Sequence, residues 1–274
     1  MKSFRRQLLS GPYFIWIAGF ILLPLVFIIY YAFTTSAGTF TLSNILAIKD
    51  PIHLKALLLS LRLALVCTVV CLILSYPLAM ILNNLKIKQH NFIVFIFILP
   101  MWMNFMLRIL AWQMLLSNNG IINGILSFFG FPSIQMLNTP TAVVFGMVYD
   151  FLPFMILPIY NAMTRISNDV IEAAEDLGAN KVTIFFKIIV PLTLSGVISG
   201  VIMVFVPALT SFVISDLLGG GKVLLIGNVI EQAFMQELNW PLGSGLSFVL
   251  MIFVIASMAL MSAYTQDGEG AGVW

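Results

Sequence analysis

The sequence predicts an all-α, polytopic membrane protein with six transmembrane helices. Three observations carry that class. Of 274 residues, 61% are apolar and 9% are charged, whereas an ordinary soluble domain is roughly 45–50% apolar and about 25% charged. The mean hydropathy is +1.06. Apolar runs also recur at close to the about 20 residues that a helix needs to cross a bilayer. With so few charges and a net balance of +2, the composition excludes a soluble enzyme, a disordered chain and a nucleic-acid binder resting on a basic face.

The first run extends from Tyr13 to Phe33, behind Lys2, Arg5 and Arg6. A basic head before an apolar run also describes a secretion signal, but this run is too long and no small-x-small cleavage site follows closely. It reads as a retained helix, and with the polar loop 34–55 it makes an N-terminal section, residues 1–55. A membrane core covers 56–264. Its runs are about Ala56 to Leu82, Phe92 to Leu116, Thr141 to Met163, Leu192 to Ser215 and Gly243 to Tyr264. Pro24, Pro77, Pro100, Pro153, Pro158 and Pro207 predict kinks, which membrane helices tolerate where neighbours satisfy the freed backbone.

Two further segments lie between the runs. Residues 117–140 read as a turn and a short amphipathic helix at the interface. Residues 216–242, with Gly219, Gly220 and Gly221, are semi-apolar and open to a re-entrant path. Residues 265–274 form a polar tail with no assigned role. Lys2, Arg5, Arg6, Lys86, Lys88, Arg165, Lys181 and Lys187 all fall on one side of a six-span chain. The opposite loops hold Lys49, Lys55 and Lys222. Basic loops stay cytoplasmic, so both termini are expected there.

No catalytic constellation stands out. Gly219-Gly220-Gly221-Lys222 is not a phosphate loop, which needs Gly, four residues, then Gly-Lys-Ser/Thr; position 216 is Asp and position 223 is Val. No Gly-x-Ser-x-Gly elbow and no His-Glu-x-x-His motif appears. His53 and His90 lack partners at ligand spacing, so no metal site is expected. Cys67 and Cys71, four apart, share a helix face and read as small core residues. ATP chemistry, if used, belongs to another chain.

The loop 164–191 is the most informative segment. Ser167, Asn168 and Asp169 offer N-caps, and Asp169 with Glu172 has capping-box spacing. A helix is expected from about Val170 to Leu177, ended by Gly178 in a left-handed cap. A second, about Lys181 to Ile189, leads to Pro191. On the first helix Ala173, Ala174 and Leu177 form a small apolar stripe. Glu172, Glu175 and Asp176 cluster like charge at a spacing that weakens an isolated helix. Two readings fit these residues: a solvated loop helix with incidental charges, or a helix shaped for another protein's groove with acids at the rim.

Glu172-Ala173-Ala174, three residues, Gly178, nine residues, then Ile188-Ile189-Val190-Pro191 resembles the EAA loop of ABC-importer permeases. That pattern reads EAA, three residues, G, nine residues, I-x-L-P; Val190 stands here for Leu. The resemblance covers about residues 56–264, with one extra N-terminal helix. Ser75-Tyr76-Pro77-Leu78-Ala79, Leu107-Arg108-Ile109, Leu152-Pro153-Phe154-Met155, Ser215-Asp216-Leu217 and Ile226-Gly227-Asn228-Val229-Ile230 are similar to the polyamine permeases of that family. Asp150 departs from it, at a position where an apolar residue is expected.

The resemblance implies a MetI-like ABC permease architecture in the cytoplasmic (inner) membrane, with this chain forming half of a polyamine pathway by alternating access. The implied partners are a second, homologous but different permease, two copies of an ATPase subunit and an extracytoplasmic polyamine-binding protein. ATP and Mg belong to the ATPase; this chain carries no cofactor and meets lipid, not nucleic acid. Glu172, Ala173, Ala174 and Gly178 become coupling residues, flanked by Asp176 and Leu177. Rival readings are a permease for an organophosphonate, thiamine or ferric ion, and an ATP-independent channel. The 28-residue loop argues against the channel.

Arg108, Asp150, Tyr149 and Asp216 are the pathway candidates. Arg108 and Asp150 are the deepest charges apart from Arg62, at roughly 12 Å and roughly 13–14 Å from the outer ends of their runs on a 1.5 Å rise. Intramembrane charges pair or face a cavity, so the two either form an ion pair or leave Asp150 facing a cationic solute. Trp102, Trp112, Tyr149 and Trp240 are open to cation–π contacts or to ordinary packing. Asp216, Glu231 and Glu237 either attract a cation through their field or are solvated.

Overall fold

Backbone in hydrocarbon must satisfy its own N–H and C=O groups, and the α-helix does so within one segment. The protein accordingly folds as helices, in a computed structural model that describes residues 13–84 and 99–269. They are α1 (Tyr13–Ala32), α2 (Pro51–Asn84), α3 (Phe105–Leu116), α4 (Ile121–Phe128), α5 (Pro140–Met163) and α6 (Asn168–Asp176). After them come α7 (Lys181–Leu192), α8 (Leu194–Thr210), α9 (Val213–Gly219), α10 (Ile226–Met235) and α11 (Trp240–Glu269). Lys2, Arg5, Arg6, Lys86, Lys88, His90, the start of the third apolar run (92–98), and residues 270–274 lie outside the described residues.

Among the described residues α1, α2, α5 and α11 are each long and apolar enough to cross a membrane, and α7 with α8 qualifies as one further, bent span. Local chemistry shifts several expected boundaries. α2 begins at Pro51, before Ala56, because the Asp50 carboxylate accepts from Ile52 N at 2.8 Å and proline suits the first helical turn. The third run is interrupted: a tight turn at Leu99–Trp102 precedes α3, which Asn104 starts by accepting from Leu107 N at 3.2 Å. The fifth run is also split, because the chain is extended at Ser211 between α8 and α9. α11 takes in Gln266 to Glu269 of the expected tail.

Two compact units divide the chain, Met1–Lys55 with Val229–Ile255, and Ala56–Asn228 with Ala256–Trp274. In the first, Asn44 Nδ2 donates to the carbonyls of Tyr31, Ala32 and Thr34 at 2.9–3.3 Å, tying down the exit of α1. Phe33 packs edge-on against Phe248 at 5.2 Å.

The second unit is organised by α8 lying against α5. Gly196, Gly200, Val204 and Ala208 recur every four residues along α8, and all are buried. They lie against α5, where Gly200 meets Met155 and Gly196 meets Pro158 and Ala162. In a bilayer such pairs gain from close approach of small residues rather than from hydrophobic exclusion. A Cβ on Gly196 would stand 2.7 Å from Pro158 O, so only glycine permits this spacing. α9 packs on both α3 and α5, burying Ile214 and Leu218. Cys67 and Cys71 are wholly buried in α2, as small core residues.

Candidate functional site

The loop between α5 and α8 is built by local signals. Ser167 occupies the N-cap of α6 without a side-chain cap bond. The Asp169–Glu172 capping box therefore does not form: the helix starts at Asn168, which moves Asp169 into the first turn, where its charge meets the helix dipole instead. The far end follows expectation. Gly178 has φ +80°, Gly178 N donates to Glu175 O at 2.8 Å and Ala179 N to Ala174 O at 3.0 Å. This pair of bonds is the Schellman closure, which needs a residue in the left-handed region at that position.

The exposed face of α6 differs from the expected stripe. Ala173 and Leu177, four apart, share an open face, and Leu177 is 89% exposed. Ala174 turns inward and is buried. Glu172, Glu175, Asp176 and Gly178 are exposed around that face. A free, solvent-facing leucine edged by acids is an unsatisfied apolar surface. Beyond it, Asn180 caps α7 by accepting from Thr183 N at 2.8 Å, and Val182 and Phe186 are each 65% exposed.

α7 meets α8 at 63°. Three local features produce this bend. Residues Phe185–Ile189 form a π-turn, Pro191 lacks the N–H that would continue the ladder, and Thr193 Oγ1 bonds back to Ile189 O at 2.8 Å. Each is an established cause of helix bending.

The intramembrane charges are brought together. Arg108 Nη2 of α3 lies 2.7 Å from Asp150 Oδ1 of α5, with side chains 9% and 8% exposed. Arg108 Nε is buried with no hydrogen-bond partner among the described residues. One turn along α3, Trp112 stands edge-on to Phe145 at 4.6 Å and to Tyr149 at 5.2 Å. The pair is thus bordered by an aromatic wall in which Tyr149 is 36% exposed. Such a pair offsets its own desolvation only while both charges are present.

Asp216 is not a free loop carboxylate. It is exposed on α9 but accepts from Asn228 Nδ2, which also donates to Phe212 O at 3.1 Å. Partial burial pushes the Asp216 carboxyl above its ordinary value, with the Asn228 hydrogen bond opposing that shift. Trp102 is 76% exposed, and Trp240 packs in the other unit against Phe234 at 5.5 Å. Glu231 is half-buried and Glu237 exposed. His53 Nδ1 lies 2.7 Å from Ala47 O. No group of three potential metal ligands gathers among the described residues.

Several organising side chains were not singled out by sequence reading. Asn228 Oδ1 accepts from Leu225 N at 3.0 Å, Ser60 Oγ accepts from Ile226 N at 2.8 Å, and Thr193 holds the bend. The available signal was a lone polar residue inside an apolar run, since buried polar groups need partners; spacing alone did not say which.

The described residues thus give apolar helices long enough to cross a membrane and an exposed, glycine-closed loop helix before a bent span. The chain belongs to the family of binding-protein-dependent transport system inner membrane components, whose pattern matches residues 75–266. It is 40% identical over 245 residues to the spermidine/putrescine transport system permease protein PotB of Escherichia coli K12, spanning 86% of this chain and 89% of that one. It is 38% identical over 249 residues to PotB of Haemophilus influenzae, spanning 88% and 87%. The fold matches a bacterial ABC transporter that imports the acidic polysaccharide alginate, with a TM-score of 0.76, 14% identity, and 97% and 98% of the two chains covered.

Proposed function

We propose that this chain forms half of the translocation pathway of an ATP-driven importer for polyamines, spermidine and putrescine. Its likeness to the two PotB proteins carries the solute. In this reading six spans place both termini in the cytoplasm, supported by the one-sided distribution of Lys and Arg. A second, homologous permease completes the pathway. Two ATPase subunits hold ATP and Mg, and an extracytoplasmic polyamine-binding protein delivers the solute.

Ala173 and Leu177 seat in a cleft of the ATPase. Glu172 and Asp176 pair with basic groups at its rim, Ala174 anchors the helix from behind, and Gly178 sets its exit angle. Asp150 presents negative charge to an ammonium group, with Arg108 as the cation that occupies it between substrates. Tyr149, next along α5 and packed on Trp112, offers a ring for cation–π contact with the solute. Asp216 lends its field to the approach.

The test is uptake of labelled spermidine and putrescine in cells lacking this chain, with and without its restoration. Restored, energy-dependent uptake that unlabelled polyamine competes away is the expected result. No uptake, from a chain that still copurifies with an ATPase, would discard the polyamine assignment and keep the importer.

A further inference from the structure

A side chain of α2 reaches the bend between α7 and α8. Tyr76 of α2 places its hydroxyl 2.7 Å from Thr193 Oγ1, and its ring packs edge-on against Phe185 of α7 at 5.6 Å. Thr193 is wholly buried. Its single hydroxyl proton is committed to Ile189 O at 2.8 Å, shared with Val190 O at 3.2 Å. The Tyr76 hydroxyl is therefore the donor in the Tyr76–Thr193 bond. The Thr193 backbone is tied on both sides of the bend, Thr193 N donating to Ile189 O and Val197 N to Thr193 O, both at 3.0 Å. Thr193 is thus the held point of the corner, with α2 gripping both its hydroxyl and its approach.

We propose that Tyr76 is a positioning residue for transport, a latch that makes α2 and the α7–α8 corner move as one body. α7 carries the loop helix at one end and continues into the spanning helix α8 at the other. Motion of α6 has two routes along the chain into the membrane, back through the short link to α5 and forward through α7, and the forward route passes through Thr193. With the latch closed, the corner angle is preserved and a swing of α7 turns α2 and α8 together. Without the hydroxyl, the corner flexes about Pro191 and the π-turn, and the motion is absorbed there. This inference rests on the reading of α6 as the ATPase-docking helix.

The test uses the assembled transporter, purified through this chain and placed in proteoliposomes with its binding protein. ATP hydrolysis and uptake of labelled spermidine are measured together. Tyr76→Phe keeps the ring contact and removes only the donor. We expect hydrolysis to persist while uptake per ATP falls roughly threefold to tenfold, the range one buried hydrogen bond supports. Thr193→Ser, which keeps the hydroxyl, retains the parental ratio, and Thr193→Val, which also removes the back-bond to Ile189 O, loses it by at least that factor. The Tyr76→Phe/Thr193→Val pair is no worse than Thr193→Val alone. A merely structural contact would lower both activities in proportion.

An unchanged ratio in Tyr76→Phe, or equal ratios in Thr193→Ser and Thr193→Val, overturns the latch. Should Tyr76→Phe not assemble, the two Thr193 variants decide. Gly178→Val in the same assay separates the inference from its premise. A low ratio there with a normal Tyr76→Phe sinks the latch alone. A normal ratio there with a low Tyr76→Phe overturns the docking premise and with it the route from α6, while the Tyr76 hydroxyl remains a determinant of coupling by another route.

Discussion

Arg108 Nη2 lies 2.7 Å from Asp150 Oδ1, and both side chains are more than nine-tenths buried. The contact joins α3 to α5 inside the membrane core. The two charges face each other as an ion pair, while Arg108 Nε and Asp150 Oδ1 are buried without a hydrogen-bond partner among the described residues.

Removing one partner strands the other. Asp150→Asn alone should destabilise the protein by about 3–5 kcal/mol, the usual cost of an uncompensated buried charge. The double change Arg108→Met/Asp150→Leu should recover most of that loss, read as the melting temperature in detergent. If Asp150 receives the solute, the stable double variant still loses spermidine uptake by about tenfold or more, as for a lost hydrogen bond to a charged group. Full uptake by the double variant would remove Asp150 from the pathway.

At Gly178 the constraint is dihedral, not steric. With φ +80° and no atom within 4 Å of a built Cβ, a side chain has room but the wrong backbone. Gly178→Val should cost about 1–2 kcal/mol locally, leave membrane insertion intact and uncouple hydrolysis from uptake. Gly178→Asn, which tolerates the left-handed region, should keep most coupling. Normal coupled uptake by the valine variant would end this role.

Leu177 is 89% exposed, so Leu177→Ser should change folding stability by no more than about 0.5 kcal/mol. It should nevertheless reduce the ATPase that copurifies with the chain. Unchanged copurification would show that this face docks nothing.

The α5–α8 contact ranks two glycines. A Cβ at Gly196 meets Pro158 backbone at 2.7 Å, whereas at Gly200 its nearest neighbour is the Met155 sulfur, also at 2.7 Å. A methionine side chain can move and a proline carbonyl cannot. Gly196→Ala should therefore lower the melting temperature more than Gly200→Ala, with costs of about 1–3 kcal/mol for overpacking. The reverse order would contradict this account of the packing.

Asp216 supplies a pH signature. Its carboxyl is held above the ordinary value by partial burial, against the opposing Asn228 bond. A folded-state value above the unfolded one favours the protonated form, so the stabilising contribution is present in acid and lost as pH rises through the folded value. Asp216→Asn, which can still accept from Asn228, should melt higher than the parent at neutral pH, with the gap closing on acidification through the carboxylate range. A gap that widens in acid would reverse the sign. If its field also guides the polycation, the variant's uptake deficit shrinks at high salt.

How much of this was legible in sequence depends on range. The all-α membrane class follows from composition, and α6 with its glycine closure follows from Glu172 to Gly178, because helix formation and capping are decided within a few residues. The Asp169–Glu172 capping box failed even at that range: starting the helix two residues earlier, at Asn168, turned a cap into a dipole contact. α2 likewise began at Pro51 because Asp50 caps it, a signal that was present but outweighed by the apolar pattern.

By itself, the sequence determined a chain of apolar helices, a loop with the EAA spacing, and a small set of intramembrane charges. Only the tertiary structure decided that Arg108 meets Asp150, that Asn228 holds Asp216, that Ala174 is covered while Ala173 is open, and that Tyr76 reaches Thr193. Periodicity and caps are set by neighbours along the chain, and a one-dimensional pattern records them. Partners separated by tens of residues are set by the close approach and rotation of whole helices, here permitted by Gly196 and Gly200. No spacing in the chain states that rotation.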